Sequence, residues 1–242
     1  MKVEYQVHPL YENLTEWVLT LPDEFEQGKG TLIYKGRNEL RRFEMNGLKI
    51  VVKSFQIPHL LNRMVYGNFR ASKAQRSYEY ALKLLQEGLG TPTPVAWLTL
   101  RHNGLMGRSF YASLESECPH TYAMLMGGQH PEQKRYLEAI ASYTAHMHEK
   151  GILHKDYSLG NILLGDSPEG VKVETIDLNR LRFFSSVSIE VGCRNLFDGR
   201  LPGTREMREI LAHEYARARG ADPSVCLHWV DVCETEQNQP KP

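Results

Sequence analysis

No stretch of the 242-residue sequence approaches the ~20 consecutive apolar residues that a bilayer-spanning helix needs. The opening MKVEYQVHPLYENL lacks the apolar core of a secretory signal, so the expectation is a cytoplasmic protein. Charge of one sign is also missing: 29 basic residues balance 29 acidic ones, which removes any global electrostatic argument for nucleic acid as a partner. Cysteine is scarce, and Cys118, Cys193, Cys226 and Cys233 form no CxxC pair, so they read as free thiols of a reducing compartment. Cys226, His228 and Cys233 could be drawn as three zinc ligands. No neighbouring spacing supplies the fourth, and ordinary side chains near a C-terminal helix are the favoured reading. There is no internal repeat. What the chain does have is 41% hydrophobic residues, enough for a buried core in one large domain or two small lobes.

Residues 31–55 read as three consecutive strands, TLIYKG, ELRRFEM and LKIVVKSF. Asn46-Gly47 between the last two is a hairpin signal, because both central residues of a type I′ turn need positive φ. A polar helix is expected around 70–88, with Tyr78, Ala81, Leu82 and Leu85 on one face and Gly88 or Gly90 ending it. TPTPVAWLTL and SFYASLE look like two more strands, completing a β-rich lobe over 1–115. From 131 the character turns helical: Tyr136, Leu137, Ile140, Tyr143, Thr144 and Met147 recur at helical spacing up to a stop at Gly151. Strand-like NILLG and VKVETIDL follow around the turn DSPEG. Helices are then expected over GTREMREILAHEYARARG and near 224–233, in a mainly helical lobe over 116–235. The tail 236–242 is expected to be disordered. The fold class is α+β.

The chemistry concentrates in LHKDYSLGNILL, 153–164, and in IDL, 176–178. A loop between a helix and a strand hairpin holds His154, Asp156 and Asn161, and the returning strand delivers Asp177. If the hairpin folds back on itself, Asn161 and Asp177 offer two oxygen ligands to a hard cation, with Asp156 beside them. That layout suits phosphoryl transfer, where the protein mainly positions the nucleophile and neutralises phosphate charge. One Asp and one Asn near turns are commonplace caps, and H-x-D alone is a weak motif. The coincidence of H-x-D-x4-N, an ILL strand directly after it and an apolar-Asp-Leu behind a turn is a stronger signal.

HKDYSLGNILL with IDL resembles the catalytic loop and metal-binding segment of the protein-kinase-like superfamily, H-R-D-x4-N and D-F-G. Within that resemblance Lys53, in KIVVKSF, matches the strand lysine that holds the α- and β-phosphates of ATP. Glu79, rather than Glu87, matches its ion-pair partner on the following helix. Ser158 and Gly160 stand where protein kinases carry Lys or Arg, and no A-P-E follows Asp177, which favours a small or lipid-linked acceptor over a protein. The D-x3-G-N-I-L pattern is shared with aminoglycoside and choline-type phosphotransferases. The short chain, the HKDYSLGNILL wording and IDLNR more closely resemble the bacterial lipopolysaccharide kinase family, which phosphorylates Kdo or heptose sugars of the lipid A inner core.

This resemblance spans roughly residues 30–215 and implies a bilobal protein-kinase-like fold with ATP and Mg²⁺ as cofactors. It makes Asp156 the catalytic base, Asn161 and Asp177 the metal ligands, Lys53 with Glu79 the holders of the ATP phosphates, and His154 a support of the loop. Arg180 could touch an anionic sugar group or form a surface salt bridge. The first hairpin departs from the pattern, having GRN in place of G-x-G-x-x-G, with Arg37 or Asn38 as substitute donors to phosphate. The departure keeps an inactive kinase-fold binding module as an alternative, beside a small-molecule phosphotransferase. The expected partner is a lipid-linked sugar or a small-molecule acceptor. Peripheral contact with the anionic inner membrane could come from the arginines of 194–219, unless these pair with Glu206, Glu209 and Glu214 at helical spacing.

Overall fold

The computed structural model describes residues 1–57, 71–103, 105–127 and 130–239. The chain divides into two compact units, Met1–Lys83 with Pro92–Ser116, and Leu84–Thr91 with Glu117–Pro242. The segment 84–91 therefore belongs with the second unit, not with the β-rich lobe in which the sequence reading put it.

The first unit is built on a six-stranded antiparallel sheet. In chain order its strands are β1 (Lys2–Val7), β2 (Thr31–Lys35), β3 (Glu39–Met45), β4 (Leu48–Phe55), β5 (Pro94–His102) and β6 (Leu105–Leu114). They lie side by side as β1-β5-β6-β4-β3-β2. Asn46 and Gly47 have φ of 51° and 78°, as the type I′ turn between β3 and β4 requires. Successive strand residues point to opposite faces, and both faces are covered. On one, Ile50, Val52, Leu98 and Phe110 pack with Val18, Leu21 and Phe25 of helix α1 (Thr15–Glu26). On the other, Phe55, Trp97 and Tyr111 pack with Ala74, Tyr78 and Leu82 of helix α2 (Lys73–Gln86). Ser72 starts α2 by accepting the Gln75 N–H at 3.0 Å, and Thr99 of β5 donates to the same hydroxyl at 2.8 Å. Ala81 is buried as expected, but Leu84 takes the buried position expected of Leu85, which is 39% exposed. Of the expected span 70–88, residue 70 lies outside the described residues, and the helix begins at Lys73.

The second unit contains helix α3 (Gln133–Glu149), strands β7 (His120–Thr121), β8 (Ile152–His154), β9 (Ile162–Ser167), β10 (Gly170–Thr175) and β11 (Leu181–Phe183), and helices α4 (Ile189–Phe197), α5 (Arg205–Ala218) and α6 (Pro223–Asn238). Gly151 ends α3 at φ 70°, and a Cβ there would lie 2.1 Å from the Phe184 carbonyl oxygen. Ser188, Thr204 and Asp222 cap α4, α5 and α6 through their side-chain oxygens. Helix α4 is absent from the sequence reading, because Gly192 interrupts a short run. Helix α6 runs to Asn238, which corrects the expected disorder from 236: Glu236 pairs with Arg194 at 2.9 Å and Gln237 donates to the Phe197 carbonyl at 2.6 Å. Residues 240–242 lie outside the described residues.

Candidate active site

Two small antiparallel pairs in the second unit frame the loop 155–161. β8 pairs with β11, placing Leu181 opposite His154, and β9 pairs with β10, placing Thr175 opposite Ile162. The chain thus passes between the same two pairs twice, once through 155–161 and once through Ile176 to Arg180. Ile176 is bonded on both sides: its N–H donates to the Asn161 carbonyl at 3.0 Å and its carbonyl accepts from His154 Nε2 at 2.9 Å.

These contacts assign a role to each polar residue of the motif. The Asp156 N–H points at His154 Nδ1 at 3.1 Å, so Nδ1 accepts and Nε2 carries the proton it gives to Ile176. Burial lowers the His154 pKa, which keeps the ring neutral as a brace between loop and strand. Asn161 Nδ2 donates to the Asp156 carbonyl at 2.8 Å, and the amide therefore presents its oxygen. Asp177 adopts the left-handed conformation at φ 60°, ψ 46°, tolerable for Asp, and its Oδ1 accepts from Asn179 Nδ2 at 2.7 Å. Asn161 is thus tied to the backbone of Asp156 on one side and to Ile176, the residue before Asp177, on the other.

An amide oxygen and a carboxylate are the donor set of a hard cation, and Mg²⁺ is commonly held by one or two such ligands plus substrate phosphates. Among the described residues no group of three or more His, Cys, Asp or Glu could hold a metal ion, so phosphate oxygens would have to complete the coordination. Asn161 and Asp177 fit that partial shell.

A buried relay that the sequence reading missed supports the loop from below. Arg219 Nη1 donates to the Tyr215 hydroxyl at 2.7 Å, which lies 2.9 Å from His148 Nδ1. His148 Nε2 lies 3.2 Å from Asn195 Oδ1, and Asn195 Nδ2 donates to the His154 carbonyl at 3.1 Å. Each contact fixes the next, so His148 is neutral with its proton on Nε2, and burial pushes its pKa down to about 4. Gly192 is required beside it, because a Cβ there would lie 1.9 Å from the Tyr215 oxygen and 2.8 Å from His148 Nδ1. The Ser188 cap was the one local signal of α4, which carries Asn195.

In the first unit, Lys53 is half-buried on β4, with Nζ 5.3 Å from the centre of the Phe55 ring. Arg37 is exposed at the β2–β3 tip, where it, Asn38 and Arg108 line a cavity of about 270 Å³. Glu79 departs from expectation. It stands one residue, roughly 100° of helix rotation, on from Tyr78 and on the side away from Ala81, which leaves it exposed and bonded to Gln75 Nε2 at 2.9 Å. Among the described residues it makes no ion pair with Lys53. Glu87 is paired with Lys150 at 3.1 Å.

Most of the C-terminal arginines are spent internally. Arg205 holds Glu209 at 2.7 Å and Glu234 at 3.1 Å, Arg217 holds Glu214 at 2.7 Å, and Arg208 is buried against Gln237 at 3.0 Å. Pairing within the fold is thus the outcome for these residues, and the basic face expected to meet lipid is largely neutralised. Cys193 and Cys226 are buried together between α4 and α6, where the hydrogen bond with Cys226, and then desolvation, push the Cys193 thiol up, while His228 is exposed. Among the described residues they belong to no group of three or more metal-ligating side chains.

Comparison with known proteins bears on the family and the fold. The sequence profile of the Lipopolysaccharide kinase (Kdo/WaaP) family matches residues 34–185. The fold is similar to the solved structure of WaaP in complex with acyl carrier protein, at a TM-score of 0.62 over 99% of this chain and 100% of that one, with 18% of residues identical. No curated protein sequence matches.

Proposed function

Because the chain belongs to the lipopolysaccharide kinase (Kdo/WaaP) family and is thereby a phosphotransferase acting on a sugar hydroxyl, we propose that it transfers the γ-phosphoryl group of ATP, with Mg²⁺, to Kdo or heptose of the lipopolysaccharide inner core. The observation that carries this reading is the double tie of Asn161, to the Asp156 carbonyl at 2.8 Å and to the Ile176 N–H at 3.0 Å. It makes one rigid piece of the base loop and the strand end bearing Asp177.

In this reading the Asp156 carboxylate orients the sugar hydroxyl and accepts its proton as the hydroxyl oxygen bonds to the γ-phosphorus and the bridge to the β-phosphate breaks. Asn161 and Asp177 would hold Mg²⁺, which would supply charge neutralisation on the phosphates. Lys53 and Arg37 of the first unit are assigned to nucleotide phosphates. His154, neutral and committed at both nitrogens, holds the loop and takes no proton from substrate. A lipid-linked acceptor and ATP together place the activity at the cytoplasmic side of the inner membrane. No helix among the described residues is long and apolar enough to cross a bilayer.

The test is transfer of labelled phosphate from Mg-ATP to purified inner-core lipopolysaccharide. Wild type should label the lipid and Asp156→Ala should not. Equal, background labelling by both would overturn the reading. Faster turnover of a soluble aminoglycoside or choline-type alcohol would move the acceptor to small metabolites.

A further inference from the structure

Two arginines from different elements meet at the proposed base. Arg180, from the short turn after Asp177, places Nη1 3.2 Å from Asp156 Oδ2. Arg200, from the loop after α4, places Nη1 4.0 Å from Asp156 Oδ1 while the same nitrogen donates to the Lys155 carbonyl. Its Nε is steadied by Asp198 Oδ2 at 3.3 Å. With side chains 58% and 45% exposed, these arginines add little to stability, since exposed pairs contribute about 0–1 kcal/mol. Among the described residues Arg180 makes one hydrogen bond, leaving most of its five N–H donors uncommitted. Arg200 also lines a cavity of about 540 Å³ with Arg194, Asp198, Gly199, Glu236 and Gln237. Arg200 and this cavity fall outside the segment 34–185 that the family match covers.

We propose that Arg180 and Arg200 form an anion clamp for the acceptor, binding a carboxylate or phosphate on the sugar whose hydroxyl faces Asp156. The inference rests on the kinase reading for its role and narrows the acceptor to an acidic sugar. A planar guanidinium fork binds either oxyanion through paired N–H donors, which a lysine at the same place cannot do. The incoming anion replaces Asp156 as the partner of the two guanidiniums. The base carboxylate is thereby released to the hydroxyl beside it.

The experiment is titration calorimetry on the full chain without nucleotide, using three probes: free Kdo (a carboxylate), a hexose phosphate and a neutral hexose. At least one anionic sugar should bind tenfold or more tightly than the neutral one, and its advantage should shrink as salt is raised. Whichever anion binds more tightly identifies the group the clamp takes. Arg180→Gln and Arg200→Gln should each abolish the advantage, and Arg200→Lys should restore only part of it. Circular dichroism of each variant confirms folding. In turnover, the same variants should raise the acceptor KM about tenfold and leave the ATP KM unchanged. No anionic preference in wild type, preference retained in both Gln variants, or a rise in the ATP KM instead would each overturn the clamp. Because the binding assay needs no catalysis, failure of phosphate transfer alone would count against the kinase reading and not against the clamp.

Discussion

Asn195 holds His148 with its side-chain oxygen and the His154 carbonyl with its side-chain nitrogen, at 3.2 and 3.1 Å. One buried amide thus couples the C-terminal helices to the residue that braces the Asp156 loop. An amide in this position cannot be rotated without breaking both bonds, so the loop depends on residues with no contact to any reacting atom.

Acid should weaken the fold through this relay. The folded protein keeps His148 neutral down to about pH 4, whereas an unfolded chain takes up that proton near 6.5. The unfolded state binds more protons between these values, so the contribution of His148 is complete above 6.5 and is lost as pH falls to 4. The difference corresponds to roughly 3 kcal/mol, and His154, shifted in the same direction, adds to it. Urea denaturation at pH 7, 5.5 and 4.5 should show the decline, and His148→Gln should start lower at pH 7 and lose less on acidification.

Gly192→Ala tests the packing of the same relay. Its methyl would overlap the Tyr215 hydroxyl and the His148 ring, both buried and unable to withdraw. Overpacking of this kind costs about 1–3 kcal/mol. A lowered melting temperature with unchanged secondary structure is the expected outcome, and a wild-type melting temperature would show that the relay yields.

Asp156→Asn should leave the melting temperature within a degree or two while lowering kcat on the order of 10²–10⁴-fold. A stability loss of the same variant would mean that the pairs with Arg180 and Arg200 are structural.

Asp177→Asn and Asn161→Ala should raise the Mg²⁺ concentration needed for half-maximal transfer, and EDTA should abolish transfer by wild type. In a thermal-shift assay, Mg-ATP stabilises wild type by RT ln(1 + [L]/Kd) and the two variants by less. Stabilisation equal to that of wild type in both variants would remove these residues from the metal site.

Lys53 and Glu79 should separate. Lys53→Ala should cost on the order of 10²-fold or more in kcat/KM for ATP, as does removal of a charge-stabilising group elsewhere. Glu79→Ala should stay within about twofold of wild type, because its side chain is exposed and bonded only to its helical neighbour Gln75 among the described residues. Equal losses for both would restore the ion pair that the motif order suggested.

Local pattern made much of the molecule readable. Strands β2 to β6 announce themselves by β-rich runs and by the Asn46-Gly47 turn, α3 by its apolar spacing, and α5 and α6 as helical stretches of the C-terminal part. Helix α1 was hidden by Pro22 in its middle, and β1 by having only an edge partner. Leu84 and Leu85 both fit an apolar stripe, and only packing chose between them. Glu79 illustrates the same limit, since a position in a motif says which helix carries a residue but not which way that helix is turned.

The sequence by itself determined the layout of the loop, because His154, Asp156, Asn161 and Asp177 make contacts within the contiguous stretch 154–179, 26 residues. Motif spacing can encode such contacts, since hairpin register fixes which residues face each other. Tertiary structure alone decided what surrounds that loop. Arg200 reaches Asp156 from 44 positions away, and Asn195 reaches His154 from 41. Nothing in local periodicity records contacts made by separate helices that meet only when the core they share is buried.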